Sequence, residues 1–198
     1  MLQLKNKVVI GIDLAAKPEN PTGLAIWKGK VIKTSLVYTD QEILENITCN
    51  KPTLTAIDAP LNHPKRGILR KAEKEMIKRG YRVFPPKLPA VEKLTIRAVK
   101  LNTLIAEKGY KTIEVHPTST RKALNMPTKD WTKIQLILNR LALGKDLKAR
   151  IQSSHEIDAV IAALTARFYL QDRTESVGDK TGGYIIVPKK QDWRTLRI

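Results

Sequence analysis

Apolar and polar positions alternate in short blocks through the first sixty residues. Val8 to Ala15 (Val8-Val9-Ile10-Gly11-Ile12-Asp13-Leu14-Ala15) is short, apolar and β-branched, the pattern of a buried strand. Lys17-Pro18-Glu19-Asn20-Pro21 breaks it as a turn or loop. Thr22 to Trp27 and Val31 to Tyr38 read as two further strands, joined across Lys28-Gly29-Lys30 closely enough for a β-hairpin. Asp40 is an N-cap candidate for a short helix from Gln41 to about Thr48. Leu54 to Asp58 makes a fourth strand, ended by Pro60. The intervening helix lets that strand return parallel to the first.

The period then lengthens. Leu69, Ala72 and Met76 recur at helical spacing over Ile68 to Lys78, which Gly80 stops. A proline-rich bridge, Phe84-Pro85-Pro86-Lys87-Leu88-Pro89, leads to a second helix from Ala90 to Lys108. Lys111 to His116 predicts a fifth strand, and Thr118-Ser119 starts a short helix. Trp131 to Leu143 predicts another helix, apolar at Ile134, Ile137, Leu138 and Leu141. Ser153 or Ser154 caps a last helix from His155 to about Leu170, with Glu156 in its first turn. Tyr184-Ile185-Ile186-Val187-Pro188 reads as an edge strand, followed by a loose basic tail.

A length of 198 residues suits one domain spanning 1–198, with 62–110 as a basic helical insertion within it. The 42% apolar content excludes a disordered chain. Met1-Leu2-Gln3-Leu4-Lys5-Asn6-Lys7 has no signal-peptide pattern, and no apolar run reaches the roughly 18 residues of a membrane span. The single cysteine, Cys49, excludes an internal disulfide and reads as a small buried hydrophobe. A cytoplasmic protein without membrane contact is therefore expected.

Charge changes the picture most. Lys plus Arg number 36 against 19 Asp plus Glu, a net +17, which fits a polyanionic partner such as nucleic acid. Residues 62–110 hold 13 Lys/Arg and four acids, a net of 13 − 4 = +9. Arg66, Arg70, Lys71, Lys74, Lys78, Arg79 and Arg82 are its phosphate-gripping candidates. A solvated helix face, diluted by Glu73 and Glu75, is the plainer alternative.

Against this basic background four acids stand in apolar segments: Asp13, Asp58, Glu114 and Asp158. Ionised carboxylates there are costly unless paired or bound to metal. Asp13 and Asp58 end two strands expected to be parallel neighbours, and Glu114 stands near the corresponding end of a third, where α/β sheets collect ligands. Asp158 opens the last helix, and His155 shares its face. Clustered carboxylates favour Mg²⁺ or Mn²⁺, whereas His63, His116 and His155 show no zinc-ligand spacing. Two such ions can activate a water and stabilise the leaving oxygen in phosphodiester cleavage. Each residue also has a structural alternative: a strand-end Asp as a turn former, Glu114 paired with an arginine, His155 as a cap or core histidine.

Several stretches, in order, carry a family resemblance: Gly11-Ile12-Asp13-Leu14-Ala15, Pro21-Thr22-Gly23-Leu24-Ala25, Ala56-Ile57-Asp58-Ala59-Pro60-Leu61, Arg79-Gly80-Tyr81-Arg82-Val83-Phe84-Pro85-Pro86, Ile113-Glu114-Val115-His116-Pro117 and His155-Glu156-Ile157-Asp158-Ala159. The chain resembles the ribonuclease H-like fold, whose members include RNase H, RuvC resolvase and retroviral integrase. More narrowly, it is similar to the DUF429 family of predicted RNase H-like nucleases. The resemblance implies an α/β fold with a mixed five-stranded sheet, order 3-2-1-4-5, flanked by helices. It implies a last helix that delivers Asp158 to the metals, with Asp13 bridging two ions, Asp58 and Asp158 holding one each, and Glu114 completing the shell or orienting water. A homodimer is implied by analogy with RuvC. The first helix lacks a glutamate where RNase H has one; Glu42 and Glu45 are available nearby, and Glu114 is the better substitute.

Three function classes stay open. One is a divalent-metal-dependent nuclease, with DNA or RNA as substrate. Another is a nucleic-acid-binding protein of the same fold that does not cut. The third, an actin- or sugar-kinase-like ATP phosphotransferase, would need glycines and hydroxyls after Asp13, where Leu14-Ala15-Ala16-Lys17 stands.

Overall fold

The computed structural model describes residues 7–141 and 150–197. Its centre is a mixed sheet in which β1 (Val8–Asp13) pairs antiparallel with β2 (Thr22–Lys28) and parallel with β4 (Leu54–Ile57). β3 (Val31–Val37) continues the hairpin beyond β2, and β5 (Thr112–Val115) runs parallel to β4. These five strands stand in the expected order. Two more extend the sheet: β7 (Gly183–Pro188) lies parallel to β5, and β6 (Thr174–Asp179) closes the edge as its antiparallel partner. The full order is β3-β2-β1-β4-β5-β7-β6, seven strands rather than five. β6 escapes the sequence pattern because Thr174-Glu175-Ser176-Val177-Gly178-Asp179 buries only Val177. The apolar Tyr184 to Pro188 stretch is consequently an interior strand, not an edge.

Strand alternation sorts the core into two faces. Ile10, Ile12 and Ile57 point to one face, against α1 (Asp40–Asn50) and α3 (Pro89–Glu107). On that side α2 (Lys71–Lys78) covers β6 and β7 through Ala72 and Met76. The two helices within residues 62–110 thus pack against the sheet. Val9, Leu54, Ala56, Ile113 and Val115 point to the other face, against α5 (Trp131–Arg140) and α6 (Ser154–Tyr169). Leu124, at the end of the short α4 (Pro117–Ala123), joins that core. The expected helix end at Leu143 lies outside the described residues.

The seating of α6 depends on two missing side chains. A Cβ on Gly11 would lie 2.0 Å from the Ala159 carbonyl oxygen, and one on Gly23 would lie 2.0 Å from that of His155. The first turn of α6 therefore rests on the paired ends of β1 and β2, where Asp13 opposes Gly23. Ser153 and Glu156 form its capping box, as the sequence predicts. Glu156 is also bonded by Arg150; burial would raise its pKa, but these partners hold it down at about 2. α1 starts one residue earlier than expected, on a Thr39–Glu42 capping box. Two other expectations change. Cys49 is exposed on α1 rather than buried. The basic tail is docked: Gln191 and Trp193 donate backbone bonds to Ala123 and Leu124, and Leu196 is buried.

Candidate metal centre

Alternation also decides which acids meet. Asp13 has the parity of Val9 and Gly11, so it faces α6. Asp58 follows Leu54 and Ala56 on the same parity, and its N–H donates to the Ile12 carbonyl at 2.8 Å, extending the ladder by one rung. Asp158, in the first turn of α6, completes a group of three. Glu114 does not join them. It stands in register with Ile57, whose side chain points to the α1–α3 face, so its carboxylate is turned to that side; at the strand ends it still borders the same cleft, and its charge adds to the rise at Asp58.

Three of the four carboxylates already have counter-charges. On the α1–α3 face Glu114 accepts from Arg70 Nη1 at 2.8 Å and from the Leu61 N–H at 2.8 Å. Burial raises its pKa and Arg70 opposes the rise. Arg70, its side chain fully shielded from solvent, also binds Glu73. Asp158 is bound by Arg121, whose side chain is 1% exposed. Arg121 Nη2 further donates to Thr118 Oγ1 at 3.1 Å and to the Thr128 carbonyl at 3.2 Å, and its guanidinium lies 5.0 Å from the Trp131 ring centroid. Burial pushes the Asp158 carboxyl up to about 6, against the opposing pull of Arg121. Asp13 Oδ2 lies 2.7 Å from His155 Nδ1. That contact raises the imidazole pKa, while burial opposes it.

Asp58 has no such partner. Among the described residues nothing donates a hydrogen bond to its carboxylate or pairs with it. Burial, then the charges of Asp13 and Asp158, push its pKa well above the ordinary carboxylate value of 3.8. A cation bound there would remove both penalties, and aspartate oxygens suit a hard one. Asp13 and Asp58 could hold such an ion, while Asp158 and Glu114, the other two acids expected as ligands, are paired with arginines. Among the described residues no three His, Cys, Asp or Glu side chains form a ready-made metal cage.

The acids look onto a cleft of about 220 Å³ whose walls include Asp13, Asp58, Glu114, Phe84 and His116. His116 caps α4, its Nδ1 accepting from the Ser119 N–H at 3.3 Å. Burial, then the Arg121 charge, bring its pKa down to about 4, so the ring is neutral at physiological pH. Phe84 stands at the rim, 66% exposed. Of the basic candidates, Arg70 is withdrawn as a phosphate contact because it is buried in ion pairs. Arg79 is exposed but paired with Glu175 at 2.5 Å, and Lys71 with Glu75 at 3.7 Å. Arg66, Lys74, Lys78 and Arg82 are exposed. Arg121 carries no mark of charge chemistry in the sequence. Its one signal is position: Pro117, Thr120, Arg121 and Leu124 follow the spacing of an inward helix stripe, and all four are buried.

The comparisons agree with this architecture. A family model described as "Protein of unknown function (DUF429)" matches residues 11–182. The structure of T. thermophilus RuvC in complex with a Holliday junction substrate superposes with a TM-score of 0.56 at 16% identity, covering 90% of this chain and 99% of that one. A second structure, of Thermus thermophilus RuvC, reaches 20% identity over 83% of this chain and 96% of that one, with a TM-score of 0.49. No curated protein matches the sequence. The likeness to the junction complex is one of fold, a ribonuclease H-like mixed sheet with flanking helices. No described helix is long and apolar enough to cross a membrane.

Proposed function

Since the chain belongs to the DUF429 family and folds as RuvC does, we propose that it is a divalent-metal-dependent nuclease acting on nucleic-acid phosphodiester bonds. The observation that carries this reading is Asp58, a carboxylate with no hydrogen-bond or ion-pair partner among the described residues, beside Asp13 and Asp158 in a strongly basic protein. Asp13 and Asp58 would hold Mg²⁺ or Mn²⁺. Such an ion polarises a phosphoryl oxygen and lowers the pKa of a bound water. His155 orients Asp13 through Nδ1, and its other ring nitrogen can carry a proton. Arg66, Lys74, Lys78 and Arg82 supply exposed positive charge for a phosphate backbone, and the Phe84 ring at the rim offers a stacking surface for an unpaired base.

A panel of labelled DNA and RNA junctions, flaps and single strands, incubated with Mn²⁺, tests the reading. Cleavage should appear on at least one substrate, stop with chelator, and be abolished in Asp13→Asn without loss of fold or binding. Equal cleavage by Asp13→Asn and parent overturns it. The arginine partners of Asp158 and Glu114 favour a second reading, a nucleic-acid-binding protein that does not cut. Salt-dependent, metal-independent binding with no cleavage of any substrate would select that one.

A further inference from the structure

The partner of Asp158 sets how many ions the centre can hold. Arg121 is anchored on α4 and gripped on four sides, by the Asp158 carboxylate, Thr118 Oγ1, the Thr128 carbonyl and the face of Trp131. A guanidinium stays charged at every relevant pH, so this cation is permanent. Its field reaches beyond Asp158 to Asp58. With the His155 imidazole beside Asp13 in its neutral form, Asp13, Asp58 and Asp158 bring three negative charges to the α6 face, and Arg121 returns one positive charge. The remaining −2 is what one divalent ion neutralises. A second would leave a net +2 in a cleft walled partly by protein, next to a guanidinium that cannot withdraw without breaking its contacts.

We infer that Arg121 fills, as a built-in cation, the place in the charge balance that a second metal would need, so that the centre takes a single Mg²⁺ or Mn²⁺ at Asp13 and Asp58. Asp158 holds Arg121 instead of ligating metal. Arg121 touches neither substrate nor ion, so it is a positioning residue that acts through Asp158 and Asp58. The inference rests on the nuclease reading for the kind of ion.

Counting bound Mn²⁺ on the metal-free full-length protein, by the loss of the free-ion electron paramagnetic resonance signal, tests it. The parent should bind one ion per chain and Asp58→Asn none. Asp158→Asn should still bind one, because it removes no ligand. Arg121→Met, verified as folded by circular dichroism, should bind two, and the charge-restoring Arg121→Lys should return the count to one. Two ions on the parent, or a count that stays at one in folded Arg121→Met, overturns the inference. Should Arg121→Met not fold, the parent and Asp158→Asn counts decide. Two ions on the parent with active cleavage would refute only this inference. One ion with no cleavage of any substrate would refute the nuclease reading and leave the count standing.

Discussion

Asp58, Asp158 and His155 share a thermodynamic direction. Each acid holds its proton to higher pH in the folded protein than in the unfolded chain, Asp158 up to about 6 and Asp58 higher than its ordinary value of 3.8. Folding stability from these groups therefore falls as pH rises from about 4 through their folded values. His155, raised by Asp13, contributes stability that is complete below about 6.5 and lost as pH climbs through its folded value, the same direction. His116, brought down to about 4, works the other way between about pH 4 and 6.5, so the metal-free protein should show its net loss of thermal stability above about pH 6.5, and saturating Mn²⁺ should flatten that slope; a thermal melt at each pH checks it. Asp58→Asn should raise the metal-free midpoint at pH 8 by a few degrees, since about 1 kcal/mol moves a domain of this size about 2–4 °C, and should abolish the Mn²⁺ effect. Arg70→Met should behave oppositely, costing about 3–5 kcal/mol by stranding Glu73 and Glu114 without a partner, as read by urea unfolding. Asp13, Asp58 and Asp158 were legible in the sequence because a carboxylate among isoleucines and alanines is conspicuous. Arg70 and Arg121 were not, because one basic residue among 36 looks like surface. Glu114 shows parity overlooked: Ile113 and Val115 on either side already claim the α6 face.

At the level of elements, the centre exists because a helix lies on strands with nothing in between. Gly11→Ala forces α6 away from β1, as its new methyl would meet the Ala159 carbonyl at 2.0 Å. Overpacking against backbone should cost about 3 kcal/mol or more and weaken Mn²⁺ binding, although the substitution removes no ligand. Calorimetric titration beside a melt would show both losses, and an unchanged Mn²⁺ affinity would contradict the argument. Ser153→Ala should cost about 1 kcal/mol through the lost cap. The helices and the first five strands were readable because each buries a periodic apolar face. β6 was not, because its stability comes from pairing with β7 and from the cover of α2 rather than from its own side chains. The docked tail escaped for a similar reason: its anchors are backbone bonds to Ala123 and Leu124.

For the molecule as a whole, a net charge of +17 makes salt the natural probe. Affinity for a DNA duplex should fall linearly on a log–log plot against salt, and each true phosphate contact removed should lower the slope by about 0.9. Replacing Lys74 and Lys78 together by Gln tests whether the outer face of α2 touches the backbone; an unchanged slope would place the contact elsewhere. The long reach of α6 has a consequence of another kind. β1 precedes by about 140 residues the helix that shields its α6 face, which runs from Ser154 to Tyr169. At about 5–20 residues per second, β1 leaves the ribosome many seconds before its cover is synthesised. Until then Val9, Leu54 and Ala56 face water, and the strand ends that carry Asp13 and Asp58 lack the helix that packs on them. The ion site and the finished core thus arise in one event late in synthesis, and a nascent chain cut before Ser153 should expose apolar surface and bind no Mn²⁺.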